Sequence, residues 1–191
     1  MNDRDPAAPR SEAPGPPASA DTSAAALLEL HAEIDRRAAE VAAVHADRLN
    51  CGRGCAACCV DDVTVFVVEA ERIRAALAAA PLPADATPHP AGACAFLDSE
   101  RACRIYADRP YVCRTQGLPL RWVEQEDEDS AVEFRDICPE NDSPSDPPLE
   151  TLDAEVLWTL GPFESALAQL EQQRSGGQPE RVPLRALFPT A

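Results

Sequence analysis

The sequence predicts a small α+β domain: a long N-terminal helix, short strands and hairpins, then C-terminal helices. Three observations lead there. Apolar residues recur at helical spacing near both ends. Short β-branched runs, "VTVFVV" among them, fill the middle between proline-rich turns. Eight cysteines fall between residues 51 and 138 of a 191-residue chain. Aromatic residues make up only 5%, and much of the 45% apolar content is alanine. So small a supply of large side chains calls for staples, and cysteine-bound metal is the staple that this composition suggests.

The elements follow in order. Residues 1–20 carry five prolines within the first 17 and read as a disordered tail. A helix is expected over 21–50, opened by Asp21, Thr22 or Ser23 as caps. Leu27, Leu30, Ile34, Ala38, Val41 and Val44 form its buried stripe. The cysteine domain is expected over 51–140. Within it, "VDDVTVF" reads as a strand, "VVEAERIRAALAAA" as a helix and "PLPADATPHP" as a loop. "CAFLDSERACRIY" reads as a hairpin turning near Asp98 to Arg101. "RPYVCRTQ" suits a short helix, with Pro110 in its first turn and Gly117 as its cap. "LPLRWV" and "VEFRDI" are expected to pair around an acidic turn at Glu124 to Asp129. "PENDSPSDPP" reads as a linker. A helical extension is expected over 149–174, split or kinked at Gly161-Pro162. The tail 175–191 would dock loosely through Leu184, Leu187 and Phe188.

Charge narrows the function. The net charge is −16, and all 17 basic residues are arginine. Such a chain is repelled by phosphate backbones, which argues against a nucleic-acid partner. No apolar run approaches a membrane span, so no membrane association is expected. The first residues hold no apolar signal segment, which points to the cytoplasm. Thiols stay reduced there, so eight cysteines suggest metal ligands more than four disulfides.

The candidate ligands are Cys51, Cys55, Cys58, Cys59, Cys94, Cys103, Cys113 and Cys138. Thiolate sulfur suits zinc and iron–sulfur clusters, and both commonly take four sulfurs per site. Eight sulfurs fit two four-ligand sites, or one cluster with cysteines left over. The glycines in "CGRGCAACC" let the backbone wrap a centre. The side chains of adjacent Cys58 and Cys59 tend to diverge. Three of the first four thiols would then serve one centre, and the fourth would reach a second or a shared site. Metal would thereby cross-link the early and late cysteine segments. From Cys94 to Arg121 five arginines face three acids, a net of +2 (5 − 3) inside a strongly acidic chain. Arg109 and Arg114 are the candidate cations beside the thiolates.

Cys-x3-Cys-x2-Cys also resembles the cluster motif of radical S-adenosylmethionine enzymes, but a helix precedes it here and no run of βα units follows. The closer resemblance joins "CGRGCAACC" to "CAFLDSERACRIYADRPYVCR". Cys94, Leu97, Cys103, Ile105, Tyr106, Arg109, Pro110, Cys113 and Arg114 match the second half of the pattern, and Cys138 would be its eighth cysteine. Together these resemble the YkgJ-type cysteine-cluster family, the CxxCxxCC zinc- or iron-chelating domain. The first gap holds three residues where the family's name motif has two, which sets Cys51 apart. The resemblance implies chelation of zinc or iron, with an iron–sulfur cluster among the forms, and no particular reaction. Two other functions stay open: an iron–sulfur oxidoreductase or protein-modifying enzyme akin to a lysine methylase, and a zinc-stapled interaction module. No glycine-rich nucleotide loop is present to support methylation.

His31 and His45 read as satisfied or surface residues on the first helix, and His89 as a minor ligand candidate. Tyr106 and Tyr111 are expected to pack against the centre.

Overall fold

The computed structural model describes residues 20–127 and 130–189. The tail expected at 1–20 lies outside the described residues except for Ala20, and so does the tip of the acidic turn at 128–129.

Helix α1 spans Ala20–Val44. Leu27, Ile34 and Ala38 are buried along its stripe, whereas Val44 is exposed. Thr22 and Ser23 are helical residues rather than caps. The helix stops six residues short of Asn50 (50 − 44) because the chain turns back at His45, whose carbonyl accepts from Arg48 N and Leu49 N. Strand β1, Thr64–Phe66, runs directly into helix α2, Val67–Ala79. The Glu69 carboxylate reaches back to Phe66 N at 3.4 Å, closing the helix start.

The hairpin expected at Cys94 to Tyr106 reduces to one antiparallel bridge, Leu97 to Cys103. Its turn is held by Asp98, whose carboxylate accepts from Glu100 N at 2.9 Å and Ala102 N at 2.8 Å. Arg101 takes the left-handed conformation there, with φ 60°. Helix α3, Tyr111–Thr115, starts just after Pro110, and the chain leaves it at Gly117 with φ +92°. Strands β2, Leu120–Gln125, and β3, Ala131–Asp136, pair antiparallel as expected. Trp122 and Phe134 lie opposite each other, with ring centroids 5.5 Å apart.

The helix expected over the first half of 149–174 does not form. The chain makes single 3-10 turns at Leu149–Thr151 and Ala154–Val156, then strand β4, Trp158–Thr159. Trp158 N donates to Pro119 O and Leu160 N to Arg121 O, both at 2.8 Å, so the edge of β2 takes the backbone groups that a helix would need. Trp158 is buried against Tyr111 and Phe163 in exchange. Helix α4, Pro162–Ser175, begins at the proline after Gly161 and ends at left-handed Gly176. The tail docks firmly rather than loosely. Strand β5, Arg181–Pro183, pairs with β1, and Leu184, Leu187 and Phe188 are buried.

Two apolar clusters result. One joins α1, α3, β4 and α4 through Leu27, Ile34, Tyr111, Trp158 and Leu167. The other joins α2, the Leu97–Cys103 turn and the tail through Ile73, Phe96, Ile105, Leu184 and Phe188. The chain between α1 and β1 carries the early cysteines. No described helix is long and apolar enough to cross a membrane.

Candidate metal centre

The first four cysteines ride on consecutive tight turns. Cys55 N donates to Gly52 O, and Cys59 N to Ala56 O, both at 3.1 Å. Gly54 sits at φ +86°, a conformation that a β-carbon would strain. Cys94 N then donates to Cys59 O at 2.9 Å, which joins the early segment to the late one. Cys103 is the bridge partner of Leu97, Cys94 lies three residues before Leu97, Cys113 lies on α3, and all three pack against the Phe96 cluster. Cys138 follows β3, and its carbonyl accepts from Asn141 N at 2.8 Å.

Asn141 is 1% exposed and ties this corner together. Its Nδ2 donates to Gly117 O at 2.8 Å and to Cys51 Sγ at 3.2 Å, while Oδ1 accepts from Asn50 N at 2.8 Å. Cys51 Sγ fits into the space left by the missing side chain of Gly117. A β-carbon there would lie 2.5 Å from the sulfur.

Seven of the cysteines, all but Cys138, line one cleft of about 740 Å³. None of the eight is in a disulfide. Burial pushes the Cys113 thiol up to about 12, and the thiols of Cys94 and Cys103 add to the shift. Burial likewise raises the Cys94 and Cys103 thiols. Cys138 is raised by burial and by the neighbouring thiols of Cys58, Cys51 and Cys55.

The adjacent pair does not diverge. The Cys58 thiol hydrogen-bonds the Cys59 sulfur, which raises Cys58 and lowers Cys59. Their other neighbours differ all the same. Cys59 is within electrostatic reach of Cys94, Cys113 and Cys103, whereas Cys58 reaches both Cys138 and Cys113. Among the described residues, no three His, Cys, Asp or Glu side chains converge at the spacing of a metal ion's ligands. The thiols form a neighbourhood rather than a finished coordination sphere.

Arg109 and Arg114 line the cleft, and both pair with Asp35 on α1. Arg109 also lies 4.1 Å from the Tyr106 ring centroid and lowers the Cys103 thiol. Arg185 acts in the same sense on Cys94. It pairs with Asp61 and donates to the carbonyls of His89, Pro90 and Ala93. Sequence reasoning had no signal for Arg185, which lies in the tail, or for Asn141, which lies in the proline-rich linker. Tyr106 lines the cleft, but Tyr111 turns away into the Trp158 cluster. The three histidines stand outside the cleft. His31 Nε2 meets Glu69 Oε1 at 3.3 Å, His45 Nε2 meets Val156 O at 2.8 Å, and His89 lies beside Pro90 O.

The donor set is chemically uniform: sulfurs facing one cleft, with no imidazole among the lining residues. Soft thiolate selects zinc, copper(I) or iron–sulfur centres over hard cations. Residues 50–139 match the model of the family described as "CxxCxxCC: Putative zinc- or iron-chelating domain", the family that the cysteine pattern resembles. No curated protein and no solved structure matches the chain.

Proposed function

We propose that residues 50–139 chelate zinc or iron through all eight cysteines, in two groups of four. Cys59, Cys94, Cys103 and Cys113 make the inner site. Cys51, Cys55, Cys58 and Cys138 make the rim site. The observation that carries this reading is that Cys59 has Cys94, Cys103 and Cys113 as thiol neighbours, whereas Cys138 has Cys58, Cys51 and Cys55. Backbone geometry supports the same division. Cys94 N bonds Cys59 O, and Asn141 bonds both the Cys51 sulfur and the Cys138 carbonyl. Metal binding would require the sulfurs of each group to draw together.

In this reading the metal is first a staple. Structural zinc in small domains contributes about 10–16 kcal/mol of apparent binding energy, coupled to folding. The sites would close the loop 51–59 and the segments at 94–113 and 138 onto one core. Arg109 and Arg185 beside the inner thiols favour a negatively charged centre, whether a zinc tetrathiolate or an iron–sulfur cluster. Reduced thiols are required, so the cytoplasm is the compartment that suits this chemistry.

Anaerobic purification with elemental analysis and a visible spectrum tests the proposal. Two zinc ions per colourless chain, or iron with sulfide and a charge-transfer spectrum, is the expected result and identifies the metal. Cys103→Ser and Cys138→Ser should each remove the metal of one site. A well-folded, metal-free protein with four disulfides would reject the proposal, as would full metal content in both variants.

A further inference from the structure

We propose that the open edge of β3 docks an extended, arginine- or lysine-bearing segment of another protein, which adds to the three-stranded sheet as its fourth strand. This interaction surface goes beyond metal chelation and does not depend on it.

Backbone geometry leaves that edge unpaired. The sheet order is β3-β2-β4, so β3 has a strand on one side only. Antiparallel strands alternate between hydrogen-bonded and non-bonded residue pairs. Glu126 N donates to Ser130 O at 2.9 Å, in line with the register of β2 and β3. Counting by twos from there, Val132, Phe134 and Asp136 bond β2, while Ala131, Glu133 and Arg135 turn their N–H and C=O outward. The other side of β2 has the same phase: Arg121, opposite Arg135, gives its carbonyl to Leu160 N of the β4 segment. Among the described residues no other backbone group takes up the outward groups of β3. Ala131 and Glu133 are exposed, so an incoming backbone can reach them.

The side chains along the edge specify a cationic strand. Even-numbered residues share one face of the hairpin. Trp122 and Phe134 stack at the centre of that face, and Phe134 is 39% exposed. Exposed Glu124 lies diagonal to Phe134 and accepts from Trp122 Nε1 at 2.9 Å, which holds its carboxylate beside the rings. Exposed Asp136 lies two residues along β3 from Phe134. An aromatic face with carboxylates beside it fits a guanidinium or ammonium, through cation–π attraction and through charge. From Leu120 to Asp136 seven acids meet two arginines, a net of −5 (2 − 7). Both arginines pair with Glu133, Arg121 at 2.7 Å and Arg135 at 2.6 Å, so the remaining acids keep the excess negative charge. That charge repels nucleic acid. It also opposes a second copy, since β3 against β3 would set like charges side by side.

The test uses the full chain, isotope-labelled for NMR, and a fluorescent peptide of alternating arginine and threonine. Fluorescence anisotropy should show binding that weakens as salt is raised, and a glutamate–threonine peptide should not bind. On binding, the amides of Ala131, Glu133 and Arg135 should gain protection from hydrogen exchange. The arginine peptide with every amide N-methylated keeps its charge but cannot donate to the edge, so its affinity should fall about tenfold. Phe134→Ala should weaken binding about 2–5-fold through loss of the ring face. Ala131→Pro should weaken it too while leaving thermal unfolding unchanged, because the N–H it removes bonds nothing in the sheet. Absence of binding, equal affinity of the N-methylated peptide, or protection that falls outside β3 overturns the proposal. So does a dimer in sedimentation whose β3 amides are protected before peptide is added, since a second copy would then be the occupant.

Discussion

Gly117→Ala isolates the contact on which the rim site depends. The glycine has φ +92°, so any side chain there costs roughly 1–2 kcal/mol in the left-handed conformation. Its new β-carbon would stand 2.5 Å from Cys51 Sγ and 3.4 Å from Asn141 Nδ2. Non-bonded heavy atoms prefer separations near 3.5–4.0 Å, so the sulfur must retreat by about 1 Å. Cys51 is exposed and has room to swing out, but in doing so it forfeits the hydrogen bond from Asn141, worth about 1 kcal/mol. The sum is ~2–3 kcal/mol, accompanied by loss of the rim metal. Gly92→Ala is the control. Its φ is +96°, but nothing lies within 4 Å of the added carbon, so it carries the backbone cost alone. Denaturant unfolding and zinc stoichiometry of the two variants provide the comparison. Gly117→Ala should lose about one zinc equivalent that Gly92→Ala retains. Equal stability and equal zinc content in the two would refute the Cys51 cradle.

Three further outcomes are expected. Phe96→Ala should cost about 3–5 kcal/mol, because Phe96 is fully buried and its ring packs 5.4 Å from that of Phe188; unfolding curves and inner-site metal retention measure it. Glu69→Gln should cost about 1–3 kcal/mol. Its carboxylate accepts from Tyr111 N at 2.7 Å and from Phe66 N, and an amide cannot accept at both oxygens' positions; thermal unfolding measures the loss. Metal loading should release protons and tighten as pH rises. Burial holds the Cys94, Cys103, Cys113 and Cys138 thiols above the ordinary value, so they carry protons at neutral pH and must give them up to bind. A zinc titration in weak buffer with a pH indicator reads that release, and an affinity independent of pH between 6 and 8 would contradict it.

Much of this architecture is legible in the residues because its signals are local. The stripe from Leu27 to Val41 marks α1, the β-branched "VTVF" marks β1, and the paired runs around the acidic turn mark β2 and β3. The ligand chemistry is legible for the same reason, since eight thiols between residues 51 and 138 leave few other readings in so small a core. The apolar spacing from Leu152 to Leu160 misleads. Helical periodicity shows which residues are apolar, but not that Pro119 O and Arg121 O stand ready to take the backbone donors of Trp158 and Leu160.

Composition and spacing alone thus determined the α+β class and the likeness of residues 50–139 to a zinc- or iron-chelating domain. Only tertiary structure decided how the sulfurs are neighboured. That depends on contacts between residues far apart in the chain, such as Asn141 with Cys51, Gly117 with Cys51, and Arg185 with the loop at His89 to Ala93. Such contacts arise when turns and packed clusters bring distant backbone together, and no local pattern of residue types encodes them.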